Sequence, residues 1–330
     1  MTTTPNMLRE QVEAMLLKSV AEGRLSHAYV FSGPPGSGKL RTALAVAQAL
    51  LCKERTSPEQ GGRACGLCAE CRKVEHGNHP DLIRIAAEGA SIKIDQIREL
   101  QRSFAYRAES DRPRIYIIEE AEKMTIQAAN SLLKFLEEPG AGIIAILLTD
   151  QASALLSTIT SRVQRITFAP VPPAVIAQEL IREGVPEHLA KPASQLAAGM
   201  EAARLYAQSD WFAETRNVVI QLAKESLAAP GKPLLTVQQK VFKGELADHI
   251  EIILQLFGLL FKDIIHVQAR QITSLNYPDQ SDWLKHAAFQ HDAGRWVRAM
   301  ESVLEARKQL RAHVNPQLVL ERFLVAVQEV

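Results

Sequence analysis

Charge of either sign is nearly absent in the net: 38 Lys and Arg stand against 37 Asp and Glu, a formal charge of +1 over 330 residues. No global basic field exists to attract nucleic acid, so any such contact must come from a local patch. Uninterrupted apolar runs are also missing. The most hydrophobic stretch, residues 250–267, is broken by Glu251, Gln255, Lys262 and Asp263, which is wrong for a membrane span. Met1-Thr2-Thr3-Thr4-Pro5 has neither the basic start nor the apolar core of a secretory signal. These absences predict a cytoplasmic location. No internal repeat or low-complexity tract stands out.

Cysteine is scarce, and all four residues fall in one segment: Cys52, Cys65, Cys68 and Cys71. Two consecutive C-x₂-C steps, with a further thiol upstream at Cys52, suit tetrahedral Zn²⁺ held by four thiolates, a closed structural site without an open position. Between them, residues 57–63 with Gly61-Gly62 are turn formers that let the chain double back. In a reducing compartment a disulfide framework is the weaker reading; four unrelated buried thiols are the plain alternative. His76 and His79 are nearby but read as surface or packing residues.

What is present is an ordinary globular composition, 47% hydrophobic and 23% charged, in a chain long enough for two or three domains. Gly33-Pro34-Pro35-Gly36-Ser37-Gly38-Lys39-Leu40 is a phosphate-binding loop, complete except at its last position. There the Ser or Thr that would hold Mg²⁺ is Leu, whose isobutyl group offers a hard cation no oxygen. The apolar run Ala28-Tyr29-Val30-Phe31 leads into the loop, and residues 40–51 follow as a helical pattern without Gly or Pro. That order aims a helix N-terminus at an anion; a plain tight turn is the alternative.

Residues 82–85 and 115–118 read as further strands, and residues 94–106 as a helix. The second strand ends in Glu119-Glu120, where a Walker B sequence belongs. Glu119 stands where the Mg²⁺-anchoring Asp is expected, and Glu120 at the position that polarises the attacking water. The candidate nucleotide site is therefore Gly33, Gly36, Gly38, Lys39, Glu119 and Glu120, degenerate in its metal ligands; whether it holds ATP or ADP statically stays open.

These features, together with Ser26-His27-Ala28, Asn130-Ser131-Leu132-Leu133-Lys134-Phe135-Leu136-Glu137-Glu138-Pro139 and Thr160-Ser161-Arg162-Val163, occur in an order that resembles the bacterial clamp-loader subunits of the DNA polymerase III holoenzyme, a family of AAA+ proteins. The resemblance is strong over about residues 5–170, and Asn315-Pro316-Gln317-Leu318-Val319-Leu320-Glu321 is similar to the family's closing collar helix. Lacking both the Ser/Thr after Lys39 and the Walker B Asp, the chain resembles the delta-prime branch. Ala202 occupies the place of the motor subunits' sensor arginine, and Arg204 lies too late to replace it.

The resemblance implies an α/β AAA+ P-loop domain with a parallel sheet over residues 1–169, carrying a zinc module at 52–75. A helical lid at 170–208 and an all-α collar for oligomerisation at 209–330 would follow. The proline cluster Pro170-Val171-Pro172-Pro173 marks the linker, and helical patterns at 211–227, 247–270 and 292–313 fit a bundle with a turn at Pro230-Gly231-Lys232-Pro233. It further implies that Arg162 acts in trans on the nucleotide of a neighbouring ATPase subunit, with Val163 replacing a packing Cys. Expected partners are gamma/tau- and delta-type subunits, and through the complex the sliding clamp and primer-template DNA. Arg98 and Lys134, at helix N-termini, are the candidate phosphate contacts. The chain is expected to support ATP-driven clamp loading without ATPase activity of its own, as part of the DNA-directed DNA polymerase holoenzyme. Two other readings stay open: an active gamma/tau-type motor subunit, and a standalone zinc-dependent nucleic-acid-binding protein.

Overall fold

The computed structural model describes residues 5–57, 60–105, 113–138, 140, 142–228, 231–271 and 275–329. Met1–Thr4, Tyr106, Pro139 and Pro230, named above, lie outside them. The chain divides into two compact units, Met1–Val171 and Pro172–Val330.

In the first unit, helix α1 (Pro5–Ala21) precedes strand β1 (Ala28–Ser32), and α2 (Lys39–Leu51) leaves the phosphate loop. After α3 (Ala69–Glu75) the chain runs through β2 (Leu82–Ile85), α4 (Ile94–Ala105), β3 (Arg114–Ile118), α5 (Ile126–Glu137), β4 (Ile143–Thr149), α6 (Ser157–Thr160) and β5 (Gln164–Thr167). The strands form one sheet in the order β2-β3-β4-β1-β5, and the pairings are parallel. This is the α/β P-loop architecture expected from the sequence, with the carboxyl end of β1 lying between those of β4 and β5.

Parallel strands need cover on both faces, and alternation supplies it. Ala28 and Val30 point with Tyr116, Ile118 and Leu147 toward Ile97, Leu100, Leu132 and Leu136 of α4 and α5. Tyr29 and Phe31 point the other way, with Ile115, Ile117 and Ile146, toward Leu16, Leu17 and Val20 of α1 and Val46 of α2. Near-continuous apolar strands such as β4, Ile-Ile-Ala-Ile-Leu-Leu-Thr, are the consequence.

The second unit is helical: α7 (Pro173–Arg182), α8 (Glu187–Leu196), α9 (Met200–Gln208), α10 (Asp210–Ala228), α11 (Lys232–Thr236), α12 (Ile250–Gln268), α13 (Ser281–Gln290), α14 (Ala293–Arg311) and α15 (Pro316–Glu329). The expected turn at 230–233 is shorter than anticipated. Gly231 takes the left-handed conformation (φ 80°), and Lys232-Pro233 already belong to α11, where proline's fixed φ and missing N–H suit the first turn. Asp263, one of the charges that interrupts the apolar run of α12, is fully buried. It accepts hydrogen bonds from Asn276 Nδ2 and the Tyr277 amide, both at 2.8 Å, and burial raises its pKa. No helix among the described residues is long and apolar enough to cross a membrane.

The phosphate loop leaves β1 against the end of β5. A Cβ on Gly33 would lie 2.3 Å from the Phe168 carbonyl oxygen, a contact that backbone must move to relieve. Gly33→Ala is therefore expected to destabilise the first unit by about 1–3 kcal/mol, the usual range for overpacking, seen as a lower urea midpoint at unchanged slope. An unchanged midpoint would show that β5 yields freely there.

Candidate functional site

The carboxyl ends of β1, β3 and β4 form one edge of the sheet, the edge where open α/β folds bind ligands. Gly36 (φ 71°) and Gly38 (φ 92°) supply the left-handed turns of the loop, and Gly38 caps α2. Lys39, only 8% exposed, does not project into open space. Its ammonium donates to the Gly33 carbonyl at 2.6 Å, the Pro34 carbonyl at 2.8 Å and Asp150 Oδ1 at 2.8 Å. An ammonium carries three donors, so the loop and one carboxylate occupy all of them.

Position 40 gives no metal ligand: the Leu40 side chain packs against the core on the α1–α2 face of the sheet. Glu119 is held by Arg84, whose Nε and Nη2 approach Oε1 at 2.9 and 2.6 Å. Glu120 adopts a left-handed backbone conformation (φ 49°, ψ 49°), uncommon for a residue with a side chain, and pairs with Lys123 at 2.7 Å. The residues present therefore do not fit a Mg²⁺-nucleotide as a motor site would. Each cation or carboxylate that would face one already has a partner of opposite charge.

The four cysteines do converge. All four Sγ atoms lie within 4.8 Å of one another, with Cys52–Cys65 at 3.6 Å, Cys52–Cys68 at 4.0 Å and Cys65–Cys71 at 3.9 Å. Tetrahedral ligands at a Zn–S distance of about 2.3 Å stand roughly 3.8 Å apart, so the spacing suits a metal ion, and none of the four is in a disulfide. Backbone amides already face the sulfurs: Glu54 and Cys65 donate to Cys52, and Cys68 donates to Cys65, each at 3.4 Å. The Cys71 amide draws the Cys68 thiol down to about 6, whereas burial pushes Cys71 and Cys52 up. A bound cation would offset that burial cost by favouring thiolates.

The loop between Cys52 and Cys65 doubles back through Gly61 (φ 91°) and Gly62 (φ 63°), closed by the Thr56 amide donating to the Arg63 carbonyl at 2.9 Å. A Cβ on Gly62 would meet the Leu17 carbonyl at 2.5 Å, so this loop is seated directly on α1. Neither histidine joins it. His79 is buried, accepts from the Asp81 amide at Nδ1 (3.0 Å) and faces Glu70 with Nε2 at 3.1 Å; His76 is exposed at the end of α3.

Arg162 follows the short α6, and its side chain is 37% exposed. Its Nη2 lies 2.7 Å from Glu137 Oε1, while Nη1 donates to the Thr158 carbonyl (2.8 Å) and Ser161 Oγ (3.1 Å). Val163 packs against the core under α5, as its place in the motif suggested. Arg98 and Lys134 are exposed on α4 and α5, which pack together, but only Arg98 is near a helix start, pairing with Asp95 at 3.5 Å. Lys134 corrects the expectation: it lies in the last turn of α5, because that helix begins as early as Ile126, capped by Thr125.

Sequence reasoning missed Asp150, Arg84 and Glu137 as partners of the site residues. For Asp150 a signal existed. A polar pair, Thr149-Asp150, closes an apolar strand run at the edge where β-strands present ligand-facing groups.

Two family models cover most of the chain: "DNA polymerase III, delta subunit" over residues 8–172 and "DNA polymerase III, delta subunit, C terminal" over residues 209–329. The chain is 36% identical to the DNA polymerase III subunit delta' of Bacillus subtilis, over 98% of this chain and 97% of that one. It is 35% identical to the delta' subunit of Pseudomonas aeruginosa over 62% of this chain and 63% of that one. Against the Bacillus subtilis subunit tau it is 34% identical over 48% of this chain and 28% of that one. Because the likeness to a delta' subunit runs almost end to end and the family models cover both units, the chain belongs to the delta-prime family of DNA polymerase III clamp-loader subunits.

Proposed function

We propose that this chain supports ATP-driven loading of the sliding clamp onto primed DNA while hydrolysing no ATP itself, and that its chemical contribution is Arg162, presented in trans to a nucleotide held by a neighbouring ATPase subunit. The observation that carries the reading is the contrast between two cations. Lys39 is buried and all its donors are occupied within the chain, whereas Arg162 is half-exposed beside a short helix. A planar guanidinium matches phosphate oxygens through paired N–H donors and stabilises charge that develops on the transferring phosphoryl group.

Gamma/tau-type subunits are the partners the reading requires, with a delta-type subunit completing the complex. Primer-template DNA would meet the exposed α4–α5 surface that carries Arg98 and Lys134, through phosphate contacts that position the duplex without reading sequence. The three proposed regions, 1–169, 170–208 and 209–330, divide these tasks between nucleotide-like domain, lid and collar. For the four cysteines, redox-inert, tetrahedral Zn²⁺ is the proposed occupant, with a structural role only, since four protein ligands leave no open position. Both remaining readings are weaker: a motor subunit lacks its Mg²⁺ oxygen at position 40, and a standalone zinc protein leaves the helical second unit without a role.

The isolated chain should show no ATPase activity above background, and Lys39→Ala should leave the activity of a reconstituted complex nearly unchanged. A loss like that of a motor-subunit loop mutant would contradict this division of labour.

Elemental analysis of protein purified under reducing conditions should find one equivalent of zinc per chain. Strong chelation or Cys68→Ser should remove it and raise amide exchange within residues 52–75 while the sheet stays protected. Metal-free protein with an ordered 52–75 segment would count against a zinc site.

In a complex whose other ATPase sites are disabled, Arg162→Ala should slow DNA-stimulated hydrolysis at the adjacent site by about 10³-fold or more, the scale such arginines set. Arg162→Lys should recover it only in part, because an ammonium lacks the two-pronged geometry. Unaltered turnover in Arg162→Ala would mean that Arg162 is structural.

A further inference from the structure

Three contacts fix the Arg162 side chain, and only one of them comes from outside its own turn. The Thr158 carbonyl and Ser161 Oγ belong to α6 and the residue after it, so they move with the backbone that carries the arginine. Glu137, in the last turn of α5, grips Nη2 at 2.7 Å from a separate and longer helix. Nε has no partner among the described residues, so part of the planar fork stays open while the rest is held. A four-residue helix end cannot by itself orient a long flexible side chain.

We infer that Glu137 is a positioning residue for Arg162, holding the guanidinium edge-on so that its free donors face outward toward an incoming phosphate. This rests on the trans role proposed above for Arg162. A purely structural function for the pair is disfavoured by its exposure. The two side chains are 37% and 46% accessible, and ion pairs so exposed add little to stability. Preorganisation is different in kind: a pair that contributes little to folding still decides whether donors are aligned when charge develops, and small misplacements of such groups are costly to rate. Glu137 does not neutralise the role it supports, because a triphosphate presents several negative charges and competes with one exposed carboxylate.

The test uses the complex in which only the ATPase site next to this chain is intact, with assembly checked by size-exclusion chromatography. We expect Glu137→Ala to lower kcat at that site about 10- to 100-fold, the range in which misplaced catalytic groups fall, with little change in KM for ATP. Glu137→Gln, which keeps shape and an acceptor oxygen, should recover most of the rate and guards against a folding artefact. The double variant Glu137→Ala/Arg162→Ala should be no slower than Arg162→Ala alone, since a positioning residue has nothing left to position. If Arg162→Ala is slow but Glu137→Ala is as fast as or faster than the unaltered chain, the positioning role is overturned and the trans arginine survives. The positioning role falls equally if the double variant is slower than Arg162→Ala, for Glu137 would then act by another route. If Arg162→Ala is itself as fast as the unaltered chain, the reading on which the inference rests fails first.

Discussion

A buried ammonium has to be neutralised where it lies, and the way Lys39 meets that demand organises the site edge of the first unit. Burying an unpaired charge is prohibitive in a low-dielectric interior. In a nucleotide-binding loop the compensating oxygens come from phosphates. Here they come from the chain: two carbonyls of the loop and the carboxylate of Asp150 after β4. The loop is thereby tied across from β1 to β4, its neighbour in the sheet, where Gly33 also donates its amide to the Thr149 carbonyl at 3.2 Å. Leu40, which has no oxygen to offer a cation, packs against the core.

The same substitution of internal for external partners runs along the edge. Arg84 takes Glu119, and Lys123 takes Glu120. A carboxylate at the end of β3 needs a positive partner, and the neighbouring strand β2 supplies one, Arg84 standing one register step before the end of the β2–β3 ladder. Retention of the glycines fits this view, because Gly36 and Gly38 serve the strand-to-helix turn by their positive φ whether or not a phosphate is present.

Most of this was legible in the sequence, and what was not has identifiable causes. The P-loop, β1, β2, β3, α2 and the cysteine cluster could be read because each rests on local spacing: a run of apolar residues, a set of glycines, a C-x₂-C step. The partners Arg84 and Glu137 could not, and for Asp150 the strand end gave its place but not its partner. Each is distant in sequence from the residue it contacts in the folded chain, with 111 positions between Lys39 and Asp150 and 35 between Arg84 and Glu119. Charge alone does not say which of 38 cations meets which of 37 anions. The misplacement of Lys134 has a different source. The motif's most recognisable residues sit in the second half of α5, and its start at Ile126 is announced only by the Thr125 cap, upstream of the motif.

The geometry of α5 connects these separate readings. It begins just after the Glu120–Lys123 turn that closes β3 and ends at Glu137 against Arg162. At 1.5 Å per residue, its 12 residues span about 18 Å. One face of this rod is fixed in the core through Ala128, Ala129, Leu132 and Leu136, so it cannot bend to suit one end without moving the other. That apolar face, and not the ion pairs along the sheet edge, gives Glu137 its fixed base. The ion pair between Glu137 and Arg162 is thus anchored on one side by packing that runs the length of a helix, and on the other by the short turn that carries the arginine.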